Sequence, residues 1–362
     1  MSKKKQEKLT PLHLLFLLYH AAIDGSILYM PRIVGRLAKE SFWLIIASNT
    51  FIWALATYLI IKINSLFPQD SLIEYSQKIA GSILGKIISV SFIAYCIMTT
   101  AITTRLFATA TASFSLQQTP ISVTMTIILI ITFYLAIKGL TTLGNLFEFL
   151  FFALSPAFMI IIISLFEINL LNLQPLINID WPHFFEASYK TIFAFIGPEL
   201  LFILYPYIKQ KEKISKYTYI ALAFISLKTT FVAIATIGLF GVGTIQYLTW
   251  PVLDLLKSIE VPFFGRLEYL FIFFWIAYAF TTIAIYYFVA NLAIKDLITA
   301  TNTKINGLFL LPLIFYLAFL PKNLTEIFNY VAVLGMAGVL FSIFIPLILL
   351  LVNYFKGADS KK

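Results

Sequence analysis

The chain is poor in what a water-facing or cofactor-bearing protein needs. Its 362 residues include one cysteine, three histidines and 17 acidic residues, and charged residues of both signs make up only 12 %. A single cysteine, Cys96 inside an apolar stretch, excludes a disulfide framework and a cysteine-based metal site. No two histidines stand at metal-ligand spacing, and no catalytic constellation, phosphate loop or nucleotide fingerprint is present. No metal, cofactor or catalytic residue is therefore expected. A soluble domain usually carries roughly 25 % charged residues, so this composition excludes a cytosolic enzyme, a nucleic-acid binder and a secreted disulfide scaffold. What the chain has is hydrophobic mass, with 60 % hydrophobic residues, 36 phenylalanines and a mean hydropathy of +0.92. It reads as a polytopic, all-α protein of the lipid bilayer.

Crossing about 30 Å of hydrocarbon takes roughly 20 apolar residues in a helix. Ten segments meet that demand: 11–36, 41–63, 86–115, 120–137, 143–165, 184–208, 216–240, 265–294, 305–320 and 327–355, numbered here as spans 1 to 10. The lysine-rich start followed by LHLLFLL resembles a signal peptide. More apolar segments follow at once, so it is read as the first membrane helix. The connections leave no room for a soluble domain, and residues 1–362 are expected to form one transmembrane domain. With ten spans both termini share one side. Seventeen of the 26 Lys and Arg fall on that side and seven fall opposite, which places both termini in the cytoplasm by the positive-inside rule. The cluster Arg32, Arg36 and Lys39 is the local exception.

Two spans are interrupted. Span 1 contains AAIDGSILYMP, with Asp24, Gly25 and Ser26 near its middle; span 6 contains FAFIGPELLFILYP, with Gly197, Pro198 and Glu199. Charge and irregular backbone are costly in lipid unless they line a cavity, and Gly and Pro are the residues that break a helix. Each break opens a set of five spans, repeat one at about 11–165 and repeat two at about 184–355. Five is odd, so the halves run through the membrane in opposite directions, as an inverted repeat with a midplane site. A broken helix frees N–H groups, which suit a carboxylate, and C=O groups, which suit an ammonium or another cation. An α-amino acid carries both charges.

These residues resemble the amino acid–polyamine–organocation superfamily, with its five-plus-five leucine-transporter fold. A closer resemblance is to the B subunit of spore germinant receptors, the amino-acid-permease-like spore germination proteins. It is carried by ILYMPR at 27–32, SLIEYSQKIAG at 71–81, TTRLFATA at 103–110, IGPELLFILYP at 196–206, TWP at 249–251 and, most specifically, RLEYLFIFFWIAYAFTTIAIYYFVAN at 266–291. The resemblance implies a multi-pass protein of the spore inner membrane working with A-type and C-type subunits. It would bind a germinant such as a small amino acid and trigger germination rather than feed the cell. The alternative is an amino-acid permease that completes alternating-access transport.

The family's pocket layout implies ligand contacts from spans 1, 3, 6 and 8. In this chain those positions are Ile23, Asp24, Gly25 and Ser26; Thr99; Ile196, Gly197 and Glu199; and Thr282 with Tyr286, which share one helical face. Thr282 and Tyr286 are also readable as hydrogen bonds between helices. Glu199 reads as a ligand contact, as an ion-pair partner of Lys228, or as the group that holds the unwound segment open. Asp24 departs from the family, where a small residue is more frequent, and this points to a cationic ligand side chain or a proton-linked response. His20, one turn before Asp24, is a candidate partner for it. The pair Thr281 and Thr282 is poor evidence for a sodium site, and segment 247–259 is apolar enough to lie over the outer mouth. Gly335 and Gly338 are expected to let span 10 pack closely.

Overall fold

The computed structural model describes residues 8–22, 25–259, 267–298 and 302–359, and among them it is helical, with one isolated β-bridge. The apolar segments form helices because lipid offers no partner to a peptide group, so each must be satisfied within its own segment. Five helices are long and apolar enough to cross a membrane: Lys39–Leu66, Ser82–Phe114, Lys211–Ile245, Glu268–Leu297 and Leu324–Lys356. They correspond to spans 2, 3, 7, 8 and 10. Spans 4 and 5 are Ile121–Ala136 and Leu140–Ile163, with the chain turning by 120° between them, and span 9 is the shorter helix Thr303–Ala318.

Spans 1 and 6 are the broken ones. Span 1 is Pro11–Ala21 followed by Ser26–Leu37 with a bend of 58°, and span 6 is Trp181–Phe195 followed by Pro198–Tyr207 with a bend of 49°. Their relative direction follows from which of their ends meet. The Leu9 N–H donates to the Tyr207 carbonyl and the Lys209 N–H to the Leu9 carbonyl, both at 2.8 Å. The chain entering span 1 therefore lies beside the chain leaving span 6, so the two broken helices run in opposite directions, as the inverted repeat requires.

The interior is aromatic. Trp53, Tyr29, Tyr75, Tyr278 and Tyr286 are among the largest fully buried side chains, while Phe51, Phe149, Phe166 and Phe273 point outward on the perimeter. Apolar residues exposed on this scale have no use for water and suit a lipid-facing wall. Span 10 comes close to its neighbours as its glycines suggest: a Cβ on Gly335 would sit 2.8 Å from the Phe193 backbone nitrogen, and one on Gly338 would sit 2.8 Å from the Tyr95 hydroxyl. A short amphipathic helix, Leu72–Ala80, precedes span 3 and is not among the expected spans. Its start has the S-x-x-E form of a capping box, with Glu74 accepting from the Ser71 N–H at 2.9 Å. The Ser71 hydroxyl donates to Asp296 at 2.9 Å, tying this helix to the end of span 8. Segment 247–259 contributes the helix Pro251–Ser258, packed against the second half of span 1.

Candidate functional site

The break in span 6 is set by three consecutive residues. The first half ends in a tight turn, Ile192–Phe195, and the buried Ile196 then becomes extended. Gly197 takes φ +133°, a region that side chains with a Cβ rarely adopt, and Pro198 opens the next segment. The Gly197 N–H freed by the break donates to Glu199 Oε2 at 2.8 Å. Glu199 Oε1 accepts from the Tyr95 hydroxyl at 2.9 Å and from the Tyr286 hydroxyl at 2.5 Å. Glu199 is fully buried. Of its sequence readings, the one that holds the unwound segment open matches the geometry. The ion pair with Lys228 does not form among the described residues, because the Lys228 ammonium lies 5.3 Å from the Tyr19 ring centroid instead. Two tyrosine hydroxyls and a peptide N–H occupy three of the carboxylate's roughly four acceptor positions, so it is held without a lysine and keeps one position open.

The break in span 1 is held from span 8. The Thr282 hydroxyl donates to the His20 carbonyl at 2.7 Å, near the end of the first half. Tyr286, one turn further along the same face, reaches Glu199, so span 8 fastens both broken helices with the two residues expected there. His20 faces the Phe147 carbonyl through Nε2 at 3.0 Å and the Thr281 hydroxyl through Nδ1 at 2.9 Å. A carbonyl only accepts, so Nε2 carries a proton. Both ring nitrogens are thereby engaged on spans 5 and 8. Ile23 and Asp24 lie outside the described residues. Gly25 meets span 3, where a Cβ on it would come 2.8 Å from Leu106, and the buried Ser26 begins the second half. The two breaks touch: a Cβ on Gly197 would lie 3.1 Å from the Leu18 carbonyl oxygen and 3.3 Å from Ala21 Cβ.

Span 3 supplies the wall between them. Tyr95, Thr99, Thr103 and Leu106 follow one another at helical spacing on one face, from Glu199 at one end to Gly25 at the other. On this helix Thr100, Thr104 and Thr111 return their hydroxyls to the carbonyl four residues back, at 2.8, 2.7 and 2.9 Å. Thr99 and Thr103 do not: both hydroxyls are buried, Thr103 has no hydrogen-bond partner among the described residues, and Thr99 has only the neighbouring Tyr95 hydroxyl to interact with. A buried hydroxyl left unpaired is costly, and on the face between two helix breaks these two form a polar surface open to a partner. Sequence reasoning named Thr99 but not Tyr95 or Thr103, although each lies one turn from it.

The arrangement separates charge. The carbonyl end of the first half of span 1, together with Glu199, favours a cation. The amide end at Gly25 and Ser26 favours an anion. Because Thr282 satisfies one of the carbonyls at that junction, Thr282→Val is expected to lower stability by about 1 kcal/mol, read as a lower midpoint of thermal unfolding. An unchanged midpoint would mean that the bond to the His20 carbonyl contributes nothing.

Opposed broken helices packed against spans 3 and 8 define a helical membrane protein of the leucine-transporter-like class. Among solved structures, MhsT in complex with L-phenylalanine shares this fold with a TM-score of 0.67 at 14 % identity, over 94 % of this chain and 89 % of that one. The manganese transporter of Eremococcus coleocola does so with a TM-score of 0.63 at 16 % identity, over 91 % and 75 %. A family model described as "Spore germination protein" matches residues 8–327, and the chain belongs to that family. Relatives in Bacillus subtilis (strain 168) include spore germination protein YndE, 27 % identical over 98 % of both chains, and spore germination protein B2, 23 % identical over 92 % of both. The chain is thus a germination receptor or permease-like membrane protein.

Proposed function

We propose that this chain is the germinant-sensing subunit of a spore germination receptor, seated in the spore inner membrane with both termini in the cytoplasm and working with A-type and C-type subunits. A small amino acid is its ligand, held between the broken halves of spans 1 and 6. Its carboxylate goes to the amides at Gly25 and Ser26, and its ammonium to the carbonyl end of the first half of span 1 beside Glu199. The observation that carries this reading is the pair of buried hydroxyls of Thr99 and Thr103 on the face between the two breaks, neither of which bonds back to its own helix among the described residues. Binding is read out as a shift between two arrangements of spans 1 and 6 against spans 3 and 8, and a ligand shifts such an equilibrium only by its differential affinity for the two.

The hydroxyls provide a test that separates ligand contact from scaffolding. Valine has nearly the shape of threonine and no polar group to leave unpaired. Thr99→Val and Thr103→Val are therefore expected to leave the unliganded protein as stable as the parent, or more so. They should weaken stabilisation by L-alanine or another small amino acid about tenfold, or about 1.4 kcal/mol. Thermal melts of the full chain in proteoliposomes, with and without each amino acid, measure both quantities. Unchanged ligand response in both variants would remove the threonines from the site. Labelled-amino-acid flux in the same vesicles divides sensor from permease: stabilisation without saturable uptake supports the sensor, whereas saturable uptake makes the protein a permease.

A further inference from the structure

The cations Arg32, Arg36 and Lys39 run against the charge distribution that orients the rest of the chain, and the midplane site makes no use of them. At the end of the molecule remote from the Leu9–Lys209 pairing, the fold places Arg32 and Arg36 opposite Lys190 around a cavity of 230 Å³. The two arginines are one turn apart on the second half of span 1, and the lysine comes from the first half of span 6. Thr249 on the connection after span 7, and Thr325 and Asn329 at the start of span 10, complete its polar lining. Among the described residues the lining contains three cations and no carboxylate. The lysine is paired with Glu186 outside the cavity at 2.6 Å, and Arg32 Nε is anchored to the Gln246 carbonyl at 3.1 Å.

The floor is aromatic. Tyr29 and Phe328 both line the cavity and stack with ring centroids 4.2 Å apart. Trp250 stands edge-on to both, at 6.5 and 6.1 Å. Glu186 offsets part of the charge of Lys190 and Arg36, but three cations against one carboxylate leave the recess net positive, and like charges so gathered repel until an anion enters. A guanidinium fork and an ammonium receive a carboxylate well, and a stacked aromatic floor receives a flat apolar body. The volume lies below the roughly 300–1,000 Å³ of pockets for drug-sized ligands, which limits the occupant to a small metabolite.

We propose that this recess is a second ligand site, distinct from the midplane site, and that it takes a small carboxylate with a planar apolar body. It is enclosed by elements from spans 1, 6 and 10 and the connection after span 7, rather than lying on the lipid-facing perimeter, which favours a soluble molecule over a lipid headgroup. The site stands whether or not an amino acid binds at the midplane.

The probe is 4-fluorobenzoate, observed by fluorine NMR with the full chain in nanodiscs of neutral lipid. Saturable binding is expected, weakened at least about tenfold in the Arg36→Gln/Lys190→Gln protein. It should be retained in Arg36→Lys and unchanged in Thr99→Val, which belongs to the other site. Arg36 is exposed and Lys190 partly so, and a melting curve checks that the double variant folds. Absence of saturable binding in the parent, or equal binding by the double variant, overturns the proposal. Displacement of the probe by phosphatidylglycerol in the disc but not by soluble benzoate assigns the recess to a lipid headgroup and overturns it equally.

Discussion

Glu199→Ala is expected to be the most damaging single substitution in the protein, costing about 3 kcal/mol or more of stability. The carboxylate receives the Tyr95 hydroxyl, the Tyr286 hydroxyl and the Gly197 N–H, and alanine leaves all three donors buried without an acceptor. Each orphaned buried donor costs about 1–3 kcal/mol. The opposite truncation is far milder. Tyr95→Phe removes one donor and leaves a carboxylate still bonded by two others, which by the usual strength of hydrogen bonds between membrane helices is worth about 1 kcal/mol. Glu199→Gln falls between, because an amide has one accepting oxygen and presents N–H groups to a site that supplies mainly donors. The order Ala, then Gln, then Tyr95→Phe in thermal or denaturant unfolding checks the account. If Tyr95→Phe matched Glu199→Ala, the damage would come from lost packing and not from stranded donors. Tyr95→Phe and Tyr286→Phe share one oxygen, so their combined effect should also depart from the sum of the single effects.

The architecture was legible because the bilayer leaves few options. A run of about 20 apolar residues has little choice but to be a spanning helix, and the structure puts helices at the expected spans. The breaks were legible for the complementary reason: Gly197, Pro198 and Glu199 are the residues in span 6 that a straight helix in lipid would exclude. The partners of Glu199 were not legible. Tyr95 is one of 19 tyrosines and stands 104 residues away. In a soluble protein the polar face of a helix would have narrowed the choice. Span 3 is apolar nearly all round, so its pattern does not say which face meets span 6. The same lack of contrast hid Thr103, which looks like any other threonine in a run that contains several. Only the partners reveal that Thr100 and Thr104 bond back to their own helix while Thr99 and Thr103 do not. Lys228 shows the limit of reasoning from charge: Glu199 was one candidate partner for it by argument, yet three neutral donors hold that carboxylate instead. The helix Leu72–Ala80 escaped because it is too short and too polar to count as a span, although its Ser71–Glu74 cap was visible.

Gly197→Ala is expected to be the second most damaging change, at about 2–4 kcal/mol, and to act on both broken helices at once. Part of the cost is local: a φ of +133° is strained for any residue with a Cβ, and forcing a side chain into such a conformation costs about 1–3 kcal/mol. The rest is a contact. The new methyl would sit 3.1 Å from the Leu18 carbonyl oxygen and 3.3 Å from Ala21 Cβ. The carbonyl belongs to helix backbone and cannot swing away as a side chain would, so the first half of span 1 must move as a unit. Gly243→Ala is the control, since a Cβ there meets nothing within 4 Å and Gly243 lies in a helix, where alanine is favoured by up to about 1 kcal/mol. A thermal melt should show Gly197→Ala well below the parent and Gly243→Ala at or above it; equal melting of the two would mean that the break tolerates a side chain. Because the glycine is where the two interrupted helices touch, displacing span 1 there also shifts the Thr282 bond to the His20 carbonyl and the spacing between Glu199 and the amides at Gly25 and Ser26. Amino-acid stabilisation should therefore fall in Gly197→Ala by more than the loss of stability accounts for, and a full ligand response in a merely destabilised protein would show that the contact between the breaks is scaffolding alone.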